Sequence, residues 1–222
     1  MNHNISVVLL GAGSSKRFKS NELKQNIIIK NKSLLDHSRH FFAKNFNCSK
    51  IYIVVNNNVN VKKIRKNEKL ILGSSTRINS LREAMKFIFD NNLQTKFTLI
   101  HDIARPVINI TDIKKLINSL KKPGIDGSTL GYPITNALKE VDKTYVNYNL
   151  YRNNLWASFT PQIFKTNILY ESLINTNKSS INIDDDIELL MMNNFKCTII
   201  KSSPDNIKAT YIDDIKVLEK LL

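Results

Sequence analysis

Apolar residues fall along this chain in two alternating rhythms. Ile5–Leu10, Lys50–Val55 and Phe97–Ile100 are short runs rich in Val, Ile and Leu, suited to strands buried on both faces. Between and after them, apolar residues recur every three or four positions, the mark of helices with one buried face. Leu34, Leu35, Phe41 and Phe42 share such a face over Leu34–Phe46, and Leu81, Ala84, Met85 and Ile88 do so over Arg77–Asn91. Ile113, Leu116, Ile117 and Leu120 form another behind Thr111, which suits an N-cap, with Asp112 at the positive end and Lys121, Lys122 and Gly124 at the stop. Leu70–Leu72 adds a strand and Asn60–Lys66 a short basic helix. Helices follow at Lys165–Ile174 and Asp185–Met192, then a strand at Cys197–Ile200 and a last helix near Ile212–Leu222. This alternation predicts an α/β fold: a mainly parallel, twisted sheet covered by helices on both faces.

The rhythm breaks between about 137 and 155. Leu138–Asp142, Thr144–Val146 and Tyr148–Leu150 read as short, partly exposed strands around a turn, a β-arm protruding from a single domain of residues 1–222. An arm of this size does not fold alone, so it is expected to pack on a partner subunit.

Composition narrows the possibilities. At 222 residues and 42% hydrophobic, the chain can bury one α/β core. No apolar run approaches the ~20 residues of a membrane span, and Met1-Asn2-His3-Asn4 leads into a strand without a signal segment. Cys48 and Cys197 stand far apart without metal-ligand spacing, as thiols do in a reducing cytoplasm. His3, His37 and His40 have no partner pattern. The formal net charge of +14 invites a nucleic-acid partner, but the lysines are spread along the chain, without an Arg-rich tract or a basic stripe interleaved with aromatics. The same field would attract a triphosphate.

The candidate chemistry lies just after predicted strands, where α/β sheets hold ligands. Gly11-Ala12-Gly13-Ser14-Ser15 opens a loop of small residues, followed by Lys16, Arg17, Phe18, Lys24 and Gln25. Such a loop lets backbone amides approach an anion, with Arg17 and Lys24 to neutralise it; a glycine turn flanked by solvated cations has the same letters. It is neither a Walker loop nor a dinucleotide fingerprint. Gly73–Ser80, with Ser74, Arg77 and Ser80, suits a base or phosphate site or an ordinary capped helix start. In His101-Asp102-Ile103-Ala104-Arg105-Pro106, Asp102 could hold Mg²⁺ or a ribose hydroxyl and Arg105 a phosphate, or the Asp could simply form a turn before the proline. Asp184-Asp185-Asp186 suits a metal or a helix N-terminus equally. Arg152, Thr160-Pro161-Gln162 and Asp205-Asn206-Ile207-Lys208-Ala209-Thr210 complete the set.

Taken in order, these segments resemble the 2-C-methyl-D-erythritol 4-phosphate cytidylyltransferase family over nearly the whole chain. The resemblance implies a Rossmann-like fold and transfer of CMP from CTP to methylerythritol phosphate, with release of pyrophosphate, in the non-mevalonate route to isoprenoids. It implies that Gly11, Ala12, Gly13, Ser14, Ser74, Arg77 and Ser80 line the CTP pocket, with Asp102 shared between CTP and acceptor. It implies Arg17, Lys24 and Lys208 as catalytic residues, and Arg105, Asn136, Arg152, Thr160 and Asp205 on the acceptor side. Mg²⁺ would be held mainly by the CTP phosphates, with Asp102 and Asp205 as possible protein ligands. The β-arm would be a homodimer contact that brings Arg152 to the neighbour's site. A cytoplasmic enzyme with neither a nucleic-acid nor a membrane partner follows.

The chain departs from the family at several positions. Asn136-Ala137 replaces an Asp-Thr pair near the acceptor phosphate, Leu23 stands where Pro often precedes the lysine, and Ser74 replaces a Gly. Three alternatives stay open: the same reaction on ribitol 5-phosphate or another polyol phosphate, a nucleotide-binding homologue without turnover, and a basic nucleic-acid-binding α/β protein.

Overall fold

The computed structural model describes residues 4–13, 18, 22–176 and 183–222. In chain order the strands are β1 (Ile5–Leu10), β2 (Ile28–Ile29), β3 (Lys32–Ser33), β4 (Lys50–Val55), β5 (Glu68–Leu72), β6 (Phe97–Asp102), β7 (Gly127–Pro133), β8 (Leu138–Asp142), β9 (Tyr145–Leu150), β10 (Trp156–Lys165) and β11 (Cys197–Lys201). The helices are α1 (Leu34–Asn45), α2 (Arg77–Asp90), α3 (Ile110–Ser119), α4 (Thr166–Asn175), α5 (Asp186–Met192) and α6 (Asp214–Leu221).

Seven strands form one sheet in the order β11-β7-β10-β6-β1-β4-β5. Every pairing is parallel except those of β10, which runs antiparallel to β6 and β7. Alternate side chains of β1 serve opposite faces: Ile5, Val7 and Leu9 pack with α1 and α3, whereas Val8 and Leu10 pack with α2, α4 and α5. This is the expected sheet with helices on both sides. A third cluster joins Phe18, Ile29 and Leu34 to Ala209 and Leu218, fixing the segment after β11 and α6 against the early chain.

β8 and β9 form a separate two-stranded sheet, the expected arm. It carries exposed apolar surface, Val141, Val146, Tyr148 and Tyr145 (77% exposed), with Tyr151 beyond its end at 85%.

Local expectations need correcting at three places. Asn60–Lys66 is not a helix. Buried Arg39 of α1 instead takes the Lys62 and Lys63 carbonyls (3.0 and 2.9 Å) and pairs with Glu68 at 2.6 Å, so those carbonyls are satisfied from outside their own segment. The N-cap of α3 is Asn109, whose side chain accepts from the Thr111 N–H at 2.8 Å; Thr111 is already helical. Strands β7 and β10 stand where no strand is predicted from the apolar pattern. No helix among the described residues is long and apolar enough to cross a membrane.

Candidate active site

A cavity of about 280 Å³ opens at the carboxyl ends of β1 and β6. Its wall brings together Gly11, Ala12, Gly13, Lys24, Arg77, Ser80, Asp102 and Lys208 from four stretches of the chain. Ser14 and Arg17 lie outside the described residues.

The Gly-rich loop leaves β1 beside the β5–α2 connection. Gly73 is there because nothing larger fits: a Cβ would collide with that of Ala12. Thr76 caps α2 by accepting from the Asn79 N–H, and the Ser80 hydroxyl donates to the Thr76 carbonyl at 2.8 Å and accepts from the Ser74 N–H at 3.0 Å. Ser80 thus faces the cavity as part of a capped turn. Ser74 lines a neighbouring cleft between α2 and α4 instead.

Asp102 ends β6 at the floor. Its Oδ1 accepts from Arg77 Nε at 2.9 Å and its Oδ2 from Lys208 Nζ at 2.6 Å. Burial alone would raise its pKa, but the two cations outweigh that and hold it well below the usual carboxylate range. The rest of the Arg77 guanidinium forks onto Asp186, Nη1 and Nη2 meeting the two oxygens at 2.7 and 2.8 Å. Burial opposes the Arg77 charge, yet Asp102 and Asp186 together push its pKa well up. The acidic run is therefore divided. Asp185 is the N-cap of α5, accepting from the Glu188 N–H and also from Ser158 and Gln162 of β10, while Asp186 is wholly buried against Arg77. Burial raises the pKa of Asp186 despite that partner.

The turn after Asp102 is held by His101, which is fully buried. A carbonyl only accepts, so His101 Nε2 carries the proton and donates to the Arg105 carbonyl at 3.0 Å. Burial depresses its pKa to about 4, and the ring is neutral at pH 7. Thr160 accepts from the Asp102 N–H at 3.0 Å, so its hydroxyl supports the floor from beneath. Arg105 points away from the lining. Its Nη1 donates to the Asn206 carbonyl at 2.6 Å and its guanidinium lies 5.4 Å from the Phe159 ring centroid. Asp205 is exposed and bonded to Ser203. Asn136 and Arg152 are exposed at the two ends of the arm, outside this cavity.

The motifs contain Gln25, Thr210 and Asp186 but single out none of them for the cavity, Asp186 standing only within an acidic run suited to a metal or a helix N-terminus. Gln25 and Thr210 line the cavity and Asp186 lies behind it. Their signals were adjacency: Gln25 follows Lys24, Thr210 ends the Asp205–Thr210 run, and Asp186 ends the acidic run.

A divalent cation would find modest protein support. The described residues contain no group of three or more His, Cys, Asp or Glu suited to a metal. Ionised Asp102, with lone pairs beyond those its cations use, fits the one-carboxylate-plus-phosphates pattern of Mg²⁺ sites; Asp205 is not gathered with it.

Comparison with known proteins extends the likeness beyond this cavity. The family model for 2-C-methyl-D-erythritol 4-phosphate cytidylyltransferase matches residues 5–222. The protein of that name from Wigglesworthia glossinidia brevipalpis is 33% identical, over 97% of this chain and 94% of its own. Its counterpart from Actinobacillus pleuropneumoniae serotype 7 is 26% identical over 99% and 96%. The crystal structure of the Francisella tularensis protein of the same name superposes with a TM-score of 0.87 at 25% identity, covering 99% of this chain and all of that one. Matched over residues 5–222 in sequence and over 99% of its length in fold, this chain belongs to the 2-C-methyl-D-erythritol 4-phosphate cytidylyltransferase family.

Proposed function

We propose that the chain transfers the cytidylyl group of CTP to 2-C-methyl-D-erythritol 4-phosphate. The observation that carries this reading is the pairing of a small-residue loop with Lys24, Arg77 and Lys208 around one ionised carboxylate. A phosphate oxygen of the acceptor attacks the α-phosphorus of CTP in line. The new O–P bond forms as the bond to the β-phosphate oxygen breaks, and that electron pair leaves with pyrophosphate. The nucleophile is already an anion, so no general base is required; the difficulty is bringing two polyanions together. Lys24 and Arg17 neutralise the oxygens that gain charge, and Lys208, steered by Asp102, faces the reacting phosphate. Mg²⁺, held by the triphosphate and Asp102, would supply further charge neutralisation.

The remaining assignments belong to the same reading. Thr160 and Arg105 shape the acceptor end through the Asp102 turn, with Asp205 at its rim. The β8–β9 arm, with its exposed tyrosines and valines, packs on a second copy, and Arg152 then serves the acceptor across that interface, with Asn136 also on the acceptor side. The cytoplasm suits free Cys48 and Cys197, whose thiol pKa values burial pushes up to about 11 and about 12. Nucleic acid is not a partner in this reading.

The test is pyrophosphate release with CTP and Mg²⁺ in the presence of methylerythritol phosphate, ribitol 5-phosphate or no acceptor. Release with the first alone is expected. Release with ribitol phosphate alone would move the acceptor and make the Asn136-Ala137 change its cause. No release would overturn the reading. Light scattering at micromolar concentration should find a dimer, and a monomer would remove the role of the arm.

A further inference from the structure

The carbonyl oxygens of the Gly-rich loop pose a problem for any anion. Gly11, Ala12 and Gly13 all line the cavity, and each brings a partially negative oxygen as well as an amide. Those oxygens are taken up by two side-chain amides. Gln25 Nε2 donates to the Gly11 carbonyl in a very short contact and to the Gly13 carbonyl at 3.1 Å. Asn56 Nδ2, just past β4, donates to the Ala12 carbonyl between them at 2.6 Å. The assignment of the amide nitrogens is forced, because a carbonyl oxygen can only accept. Gln25 is 2% exposed and sits in the 3-10 turn, Lys24–Asn26, that also carries Lys24.

We infer that Gln25 and Asn56 are positioning residues for the nucleotide triphosphate: they hold the carbonyls of residues 11–13 in bonded directions and couple the loop to Lys24. The peptide group is planar, with its C=O and the following N–H antiparallel, so a carbonyl held on one side aims the next amide at the other. One side-chain amide takes the first and third carbonyls and another takes the second. Gln25 holds the loop from the lysine's own turn, so loop and cation keep a fixed spacing. Neither residue touches the reacting atoms, and the inference rests on the reading of this cavity as the CTP site.

The test is steady-state kinetics on the full chain with Gln25→Glu, Asn56→Ala and wild type, together with thermal denaturation. Gln25→Glu keeps the shape but sets carboxylate oxygens against the two carbonyls. Losing two buried bonds in this way is expected to raise the KM for CTP about tenfold or more, and Asn56→Ala about threefold. The KM for methylerythritol phosphate should stay within about twofold, a split that general loosening would not give. A folded Gln25→Glu variant with wild-type KM for CTP would overturn the inference. So would equal rises in both KM values. If Gln25→Glu does not fold, Asn56→Ala decides, since Asn56 is only partly buried: an unchanged KM for CTP refutes the proposal. Failure of wild type to turn over CTP would instead refute the proposed function.

Discussion

Asp102→Asn is the sharpest test of the cavity floor, because it changes charge without changing shape. The carboxylate meets Arg77 at 2.9 Å and Lys208 at 2.6 Å. At an effective dielectric of about 20, each contact has a gross Coulomb attraction of about 6 kcal/mol. Desolvation of the three charges offsets most of that, leaving roughly 1.5–3 kcal/mol for each charge-assisted bond. Asparagine keeps one acceptor, so one bond is lost and the other weakened, about 3 kcal/mol together. The Lys208 side chain is 36% exposed, and solvent screening there reduces the loss to about 2 kcal/mol. Urea denaturation of variant and wild type, run from pH 8 to pH 3, measures it. Arg77 and Lys208 depress the folded-state pKa of Asp102 below its ordinary 3.8. Its stabilisation is therefore fully present above that value and lost only as pH falls below it. The gap between the two proteins should stay level from pH 8 to about 5 and close in stronger acid. Equal stability at pH 7, or a gap that closes between pH 7 and 5, would refute the charge network. With Lys208 and any bound cation no longer fixed, kcat should fall by ~10²-fold.

Lys24→Ala should lower kcat by ~10²–10³-fold with an unchanged melting midpoint, and near-wild-type turnover would remove Lys24 from the chemistry. His101 is neutral when folded, with a pKa of about 4 against an ordinary 6.5, so the unfolded chain binds the proton first. The protein should lose about 3 kcal/mol as pH falls from 6.5 to 4, a slope that His101→Gln flattens in acid denaturation curves. Gly73→Ala should cost about 1–3 kcal/mol and weaken CTP binding by parting two loops, whereas Gly13→Ala, with no atom of the described residues within 4 Å of the added carbon, should leave the denaturation midpoint in place.

What the sequence makes legible here is what depends on local order. The runs through β1, β4 and β6 and the apolar faces of α1 to α4 carry their own periodicity, and the motif segments sit at strand ends where α/β geometry places ligands. The misses have a common cause: partners remote in sequence. β10 hides because Thr160, Pro161 and Gln162 look wrong for a central strand. The register shift between Phe159 and Gln162 accommodates the proline, and the glutamine Nε2 donates to the Thr129 hydroxyl at 2.9 Å. β7 hides because it opens on Gly127, yet an added carbon there would lie 2.8 Å from the Phe164 ring, so the glycine is a packing requirement of a strand. Arg39 with Glu68, and Arg77 with Asp186, are pairs separated by 29 and 109 positions, which no local pattern signals. The acidic run suits a metal or a helix N-terminus by its letters; the fold uses Asp185 as the cap and buries Asp186 against Arg77, a partner the run does not signal.

The third hydrophobic cluster has a bearing on the order in which this protein comes into being. A nascent chain makes the Gly-rich loop, Lys24, Arg77 and Asp102 first, but Lys208 follows Asp102 by 106 positions and is held in place by Ala209 and Leu218 against Phe18, Ile29 and Leu34. Until that tail docks, Asp102 has only Arg77 and Lys208 is absent from the floor. The reverse journey follows the same logic. Fraying of α6 takes the lysine out of place while the central sheet is still intact, so nucleotide turnover is extinguished before the sheet unfolds. A urea titration followed by activity and by far-ultraviolet dichroism would separate the two events.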